Sequence, residues 1–283
     1  MLVDRGRDMV RGIVGTATLR QSGITFLGTA INGLLGAGFY ILLARALGPA
    51  DYGLFAVAAA VLTLIADVSD LGTDTGLVRF VSRYIEGQRQ KALRFLKASL
   101  EVKLVVWGLV LVAGWKFMPY LASGVFRKLE LTLPLRLALM GVGGAQLFSF
   151  VTHYLQAGQK FWTWSLLQMV TNAGRLIVVV VLFFGGRLML TSGLWAYIAF
   201  PFLGFMVGSC LLPMRQVVEV KGERRVWGEL FAYNKWVAAF TLLAALSARL
   251  DTFISARLLP VAEVGIYAAM GQLVVIVPQI VAA

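Results

Sequence analysis

The chain has 283 residues, of which 59% are hydrophobic and only 14% charged, and its mean hydropathy is +0.81. A water-soluble domain of this length cannot hide that much apolar surface, so the solvent of the fold is largely lipid. A formal net charge of +12 suits anionic headgroups or an anionic cargo. The basic residues sit between apolar runs without a soluble aromatic surface to present them, which excludes nucleic acid as a partner, and the lone Cys210 excludes an intrachain disulfide.

Residues 1–21 are short, polar and basic, with Arg5, Arg7, Arg11 and Arg20. The apolar run from Ile24 to Leu43 is longer than the roughly 7–15 residues of a signal-peptide core, so it is read as a retained first span. Eight segments reach or approach the roughly 20 apolar residues that cross a bilayer as a helix: 23–46, 52–72, 98–118, 134–156, 162–184, 190–213, 234–257 and 262–283. Nothing alternates as barrel strands do, and in lipid a helix satisfies its own backbone. The expected fold class is all-α, a polytopic membrane helical bundle of about eight transmembrane helices. Between the first two spans, Leu47 to Gly53 form a tight turn: Gly48 and Gly53 permit unusual backbone angles, Pro49 removes a donor, and Asp51 can cap the next helix.

The connection after the second span carries Arg79, Arg83, Arg89, Lys91, Arg94 and Lys97, and that after the sixth carries Arg215, Lys221, Arg224 and Arg225. The positive-inside bias puts these connections and the N-terminus in the cytoplasm, although Arg127 and Lys128 lie on the other side. An internal repeat cuts across this series: Ala44–Ala56 (ARALGPADYGLFA) aligns without gaps to Ala256–Ala268 (ARLLPVAEVGIYA). With an even number of crossings between the two copies, both point the same way, as in parallel halves related by an axis along the membrane normal. The expected domains are a six-helix lobe over 1–213, a cytoplasmic linker over 214–232, and the first two helices of an incomplete second lobe over 233–283. The chain stops at Ala283 inside an apolar run, which reads as a truncation of that lobe.

The stretch LLARALGPADYGLFAVAAAVLTLIADVSDLGTDTGLVRFVSRY resembles the opening of the polysaccharide transporter family, the lipid-linked oligosaccharide (O-antigen) flippases of the MOP exporter superfamily. ARLDTFISARLLPVAEVGIYAAMGQLVVIVP is similar to the start of that family's second lobe, with Glu263 where aspartate is more usual. The resemblance implies a fold like that of MATE-type exporters, with two bundles around a central cavity. It implies movement of a polyprenyl-pyrophosphate-linked glycan across the inner (cytoplasmic) membrane, in company with membrane lipids, glycosyltransferases and a polysaccharide polymerase. A MATE-type drug or cation exporter and a non-transporting fragment are the competing readings.

Charges deep in a bilayer cost about 3 kcal/mol or more, so each one needs a reason. Arg175 lies ~20 Å along its helix from Trp162, and Gln168, Asn172 and Arg175 share one face. A flippase must replace the water around a pyrophosphate with cations. The expected substrate-binding residues are therefore Arg175, Arg249, Asn172 and Gln168, lining a cationic cavity. Arg249 and Asp251 are two residues apart and cannot neutralise each other on one helix, so Asp251 is expected to pair across the bundle with a cation such as Arg175. Asp67 and Asp70 share a face near the inner end of the second span, as an ion-coupling site or, more simply, as partners of Arg79 and Arg83. The lone His153 reads as a satisfied interfacial histidine and Phe161–Trp164 as an interfacial belt. Gly204 and Gly208 form a small-xxx-small packing pair. No HExxH, Cys or His cluster, or phosphate-cradling glycine loop is present, so no catalysis, metal or cofactor is expected.

Overall fold

The computed structural model describes residues 17–282, all of whose regular elements are helices. The expectations for Arg5, Arg7 and Arg11 and for the end at Ala283 lie outside the described residues. In chain order the helices are α1 (Ala17–Ser69), α2 (Thr73–Tyr84), α3 (Arg89–Tyr120), α4 (Thr132–Ala157), α5 (Phe161–Phe184), α6 (Leu190–Ser209), α7 (Met214–Glu219), α8 (Arg224–Ser247), α9 (Leu250–Leu258) and α10 (Val261–Ala282). A π turn (Leu121–Val125) and a 3-10 turn (Leu129–Leu131) join α3 to α4.

The 53 residues of α1 contain both expected first spans. The helix is interrupted at Gly48, with φ 73° and ψ 173°, a conformation that a side chain would strain. Pro49 then opens the second arm, where a missing N–H is harmless. The arms fold back on each other: the Phe39 and Phe55 ring centroids are 6.2 Å apart, whereas straight helix would separate those residues by about 24 Å. The second arm ends at Ser69, and positive φ at Leu71 (51°) and Gly72 (73°) turns the chain into α2. That helix is amphipathic, burying Leu77, Phe80 and Val81 while exposing Arg79, Ser82 and Arg83.

Five helices among the described residues are long and apolar enough to cross a membrane: Thr25–Ser69, Leu129–Ala157, Phe161–Phe184, Leu190–Ser209 and Arg224–Ser247. One expectation needs correction. The expected span 234–257 is broken at Ala248 and Arg249, which separate α8 from α9. The polar stretch 214–232 contains α7 and the first turns of α8.

The molecule has two distinct ends. At one, the basic end, lie Arg79, Arg89, Lys91, Arg94 and Lys97 with α7 and the start of α8. At the other lie Gly48, the α3–α4 turns and the start of α10. Aromatic packing of Phe39, Phe55 and Tyr197 ties α1 to α6 between them. In lipid such contacts hold helices through shape rather than water exclusion, and the small-xxx-small pair serves this. A Cβ on Gly204 would lie 2.5 Å from Phe148, and one on Gly208 2.5 Å from Val151.

The α1 and α10 backbones come very close together. A Cβ on Gly53 would lie 2.1 Å from the Val261 carbonyl oxygen, and one on Gly265 only 1.9 Å from that of Pro49. Gly53 aligns with Gly265 in the repeat, and Pro49 with Val261, so the contact is reciprocal. Around it, Lys128 donates to the Ala256 and Leu259 carbonyls (2.7 and 2.5 Å), and Arg257 to those of Gly124 and Val125 (3.3 and 2.6 Å). Burial lowers the pKa of the Lys128 ammonium. Arg257 is thus bonded to backbone rather than simply extended towards water.

Candidate functional site

A cleft of about 370 Å³ opens between α1, α5 and α10. On α1 the lining residues Thr29, Asn32, Gly33, Gly36 and Tyr40 recur at helical spacing and so occupy one face. On α5 they are Trp164, Gln168 and Asn172, each one turn from the next, and α10 contributes Gln272. The Asn172 amide donates to Asn32 Oδ1 at 2.9 Å, and Asn32 donates to the Gly28 carbonyl at 2.9 Å. The structure therefore places Gln168 and Asn172 together on one wall of the cleft. It also turns Trp164, expected in an interfacial belt, into the cleft.

Arg175 does not line the cleft. It continues the same α5 stripe, but its guanidinium lies over the faces of Phe39 (4.2 Å) and Tyr197 (5.2 Å), and its buried Nε has no hydrogen-bond partner. Ring quadrupoles replace part of the lost hydration of the cation. Arg249 is also absent from the cleft wall. It sits at the α8–α9 break, half-buried, within electrostatic reach of the exposed Asp67. The expected pairing of Asp251 with a cation such as Arg175 is not found. Asp251 accepts instead from its neighbour, the Thr252 N–H (2.7 Å), and from the Tyr267 hydroxyl (3.1 Å).

The second polar site surrounds Asp70, and its partner is neither Arg79 nor Arg83. Lys103, 1% exposed in α3, places its ammonium 2.5 Å from Asp70 Oδ1 and 3.0 Å from Asp74 Oδ1. Thr73 donates to Asp70 at 2.6 Å, Ser149 donates to Asp74 at 2.5 Å, and His153 Nδ1 lies 3.3 Å from Asp74. Gln146 donates to the Ser69 hydroxyl beside them. This group fastens the α1–α2 turn to α3 and α4. Asp67 takes no ion-pair partner in it, and Arg79 instead lies 4.2 Å from the Tyr233 ring centroid on α8. Neither Lys103 nor Asp74 is among the expected site residues, although the rule that singles out Arg175, that a charge inside an apolar run needs a reason, applies equally to Lys103.

The basic end holds the 214–223 segment against α3. Arg94 pairs with Glu223, Lys91 with Glu229 (3.5 Å), and Lys97 donates to the Val218 and Val220 carbonyls (3.0 and 2.8 Å). The bond from Lys91 to the Tyr84 hydroxyl, with Glu229 nearby, raises the lysine pKa. These charges border an open depression of about 610 Å³.

The helical fold is similar to that of several solved transporter structures. It matches an inward-facing MATE-family multidrug transporter of the MOP superfamily with a TM-score of 0.68 at 13% identity, over 89% of this chain and 60% of that one. An outward-facing MATE structure matches at 0.65 and 14%, over 83% and 54%. A MOP-superfamily transporter from Pyrococcus furiosus, described as having a binding pocket of reverse polarity, matches at 0.66 and 13%, over 92% and 64%. The chain thus spans between about half and two thirds of the length of these structures. Residues 18–283 match the sequence family of polysaccharide biosynthesis proteins, and the chain belongs to that family. No curated protein matches it.

Proposed function

We propose that the chain acts in flipping a polyprenyl-pyrophosphate-linked oligosaccharide across the cytoplasmic membrane by alternating access. On this reading its basic end lies in the cytoplasm, residues 1–213 form one lobe, 214–232 a connection, and 233–283 the start of a second. The observation that carries the proposal is the uncharged polar cleft: it lies between the first-lobe helices α1 and α5 and the second-lobe helix α10. A glycan needs such a polar route, whereas its polyprenyl tail can remain in lipid. The family, polysaccharide biosynthesis, supports this cargo over the drugs carried by structural neighbours. An exporter of organic cations would be expected to present carboxylates here, and none of the lining residues is acidic.

The test is flux in vesicles containing the purified chain and a fluorescent polyprenyl-pyrophosphate oligosaccharide. A membrane-impermeant reductant should bleach the label of both leaflets when the protein is present and only the outer leaflet when it is absent. Equal bleaching in the two samples would refute the proposal for this polypeptide. Arg175→Ala should abolish the flux by unseating Phe39 and Tyr197 at the head of the cleft.

A further inference from the structure

A lipid-linked glycan combines two chemistries, a string of hydroxylated rings and a diphosphate, and the cleft offers partners to only one of them. Its polar wall is made of the amides of Asn32, Gln168, Asn172 and Gln272 and the hydroxyls of Thr29 and Tyr40, with the Trp164 indole beside them and no charged side chain among the described residues. Gln168 and Gln272 make no hydrogen bond to protein among the described residues, and Asn172 spends only one N–H on Asn32. Gln168 and Gln272 therefore each offer two donors and an acceptor to the hollow, and Asn172 offers its second N–H and its carbonyl oxygen. Sugar hydroxyls, donors and acceptors at once, complement such a wall, and an indole face suits the apolar face of a pyranose.

A diphosphate would enter this wall stripped of water and without a cation to meet it, which is strongly unfavourable. Arg175, on the same α5 stripe, is held over the Phe39 and Tyr197 rings and does not line the cleft. An organic cation would equally lack a carboxylate. We infer that the cleft is a subsite for uncharged pyranose rings, and that the diphosphate of the substrate stays outside it. This assigns a substrate chemistry to the cleft and rests on the flippase reading above.

The experiment is saturation-transfer NMR on the whole chain in lipid nanodiscs free of glycosidic detergent. A panel of neutral oligosaccharides is the probe, with inorganic pyrophosphate and tetraphenylphosphonium as competitors. Ring protons of at least one oligosaccharide should receive saturation, and neither competitor should displace it. Asn172→Ala and Gln168→Ala should each weaken binding by about tenfold, the loss of one or two hydrogen bonds to the ligand. Asn172→Asp should admit tetraphenylphosphonium, a gain that an unfolded variant cannot show. Silence across the panel, displacement by pyrophosphate, or unchanged binding in both alanine variants would overturn the inference. The two proposals fail separately: sugar binding without flux defeats the flippase reading alone, and flux without cleft-dependent sugar binding defeats the subsite alone.

Discussion

Replacing Lys103 by methionine probes the group that fastens the basic end. The ammonium is 1% exposed and bridges Asp70 at 2.5 Å and Asp74 at 3.0 Å, whose side chains are only 14% and 17% exposed. Methionine fills much the same volume but leaves two carboxylates facing each other, with the His153 imidazole 3.3 Å from Asp74. Removing one member of a buried ion group costs about 3–5 kcal/mol, mostly through the charge left behind. Asp70→Asn should cost less, since its amide oxygen can still accept from Thr73 and Asp74 keeps its pairing with Lys103. The triple variant Lys103→Met, Asp70→Asn, Asp74→Asn should regain most of the loss, because a buried ion group replaced as a whole is often nearly neutral. The assay is the fraction of protein in nanodiscs that stays monodisperse on size exclusion after graded heating. The reasoning fails if the single lysine variant matches the parent, or if the triple variant is no better than the single one.

Gly265→Ala should lower the same heat resistance by about 1–3 kcal/mol, because the new Cβ would press on the Pro49 carbonyl and backbone yields poorly; Gly53→Ala should do the same through Val261. Arg175→Met should cost about 1–2 kcal/mol by removing the cation from two ring faces, and Arg175→Lys should recover part of that, measured by thermal denaturation. Arg94→Ala combined with Lys97→Ala should speed protease cleavage within 214–223 several-fold while changing stability by only about 1 kcal/mol, since those contacts are solvent-accessible. Unchanged cleavage would show that the segment is held by its apolar contacts alone.

Much of the fold can be read from the sequence because lipid imposes one rule, that backbone groups be satisfied within the segment. That rule recovers the two arms of α1, the break at Gly48 and helices α4 to α6 from run length and turn chemistry. It says less where helices leave the bilayer. The starts of α3 and α8 carry Arg, Lys and Glu residues, so hydropathy alone fixes neither their boundaries nor the helical content of 214–232. The break at Ala248 and Arg249 lacks a proline or glycine to announce it. For the site, helical spacing correctly groups Gln168 with Asn172. It cannot tell that Arg175 has aromatic faces to lie on, because Phe39 and Tyr197 come from other helices 136 positions before it and 22 after it. Asp70 likewise finds a partner 33 residues downstream rather than among nearby arginines.

The reciprocal glycine contact bears on the evolutionary reading of the chain. Two unrelated membrane hairpins can share alanines, a glycine and an acidic residue by composition alone. Composition does not, however, make each glycine abut the carbonyl of the residue that aligns with its neighbour's contact. Gly53 on Val261 and Gly265 on Pro49 are one interaction written twice, as a local twofold relation requires. Backbone atoms supply the acceptor on both sides, so side chains around them can diverge while the glycines cannot. This accounts for Pro49 standing opposite Val261, and Tyr52 opposite Val264, within a repeat that still closes on itself. The two helices joined by this contact, α1 and α10, also contribute walls of the polar cleft.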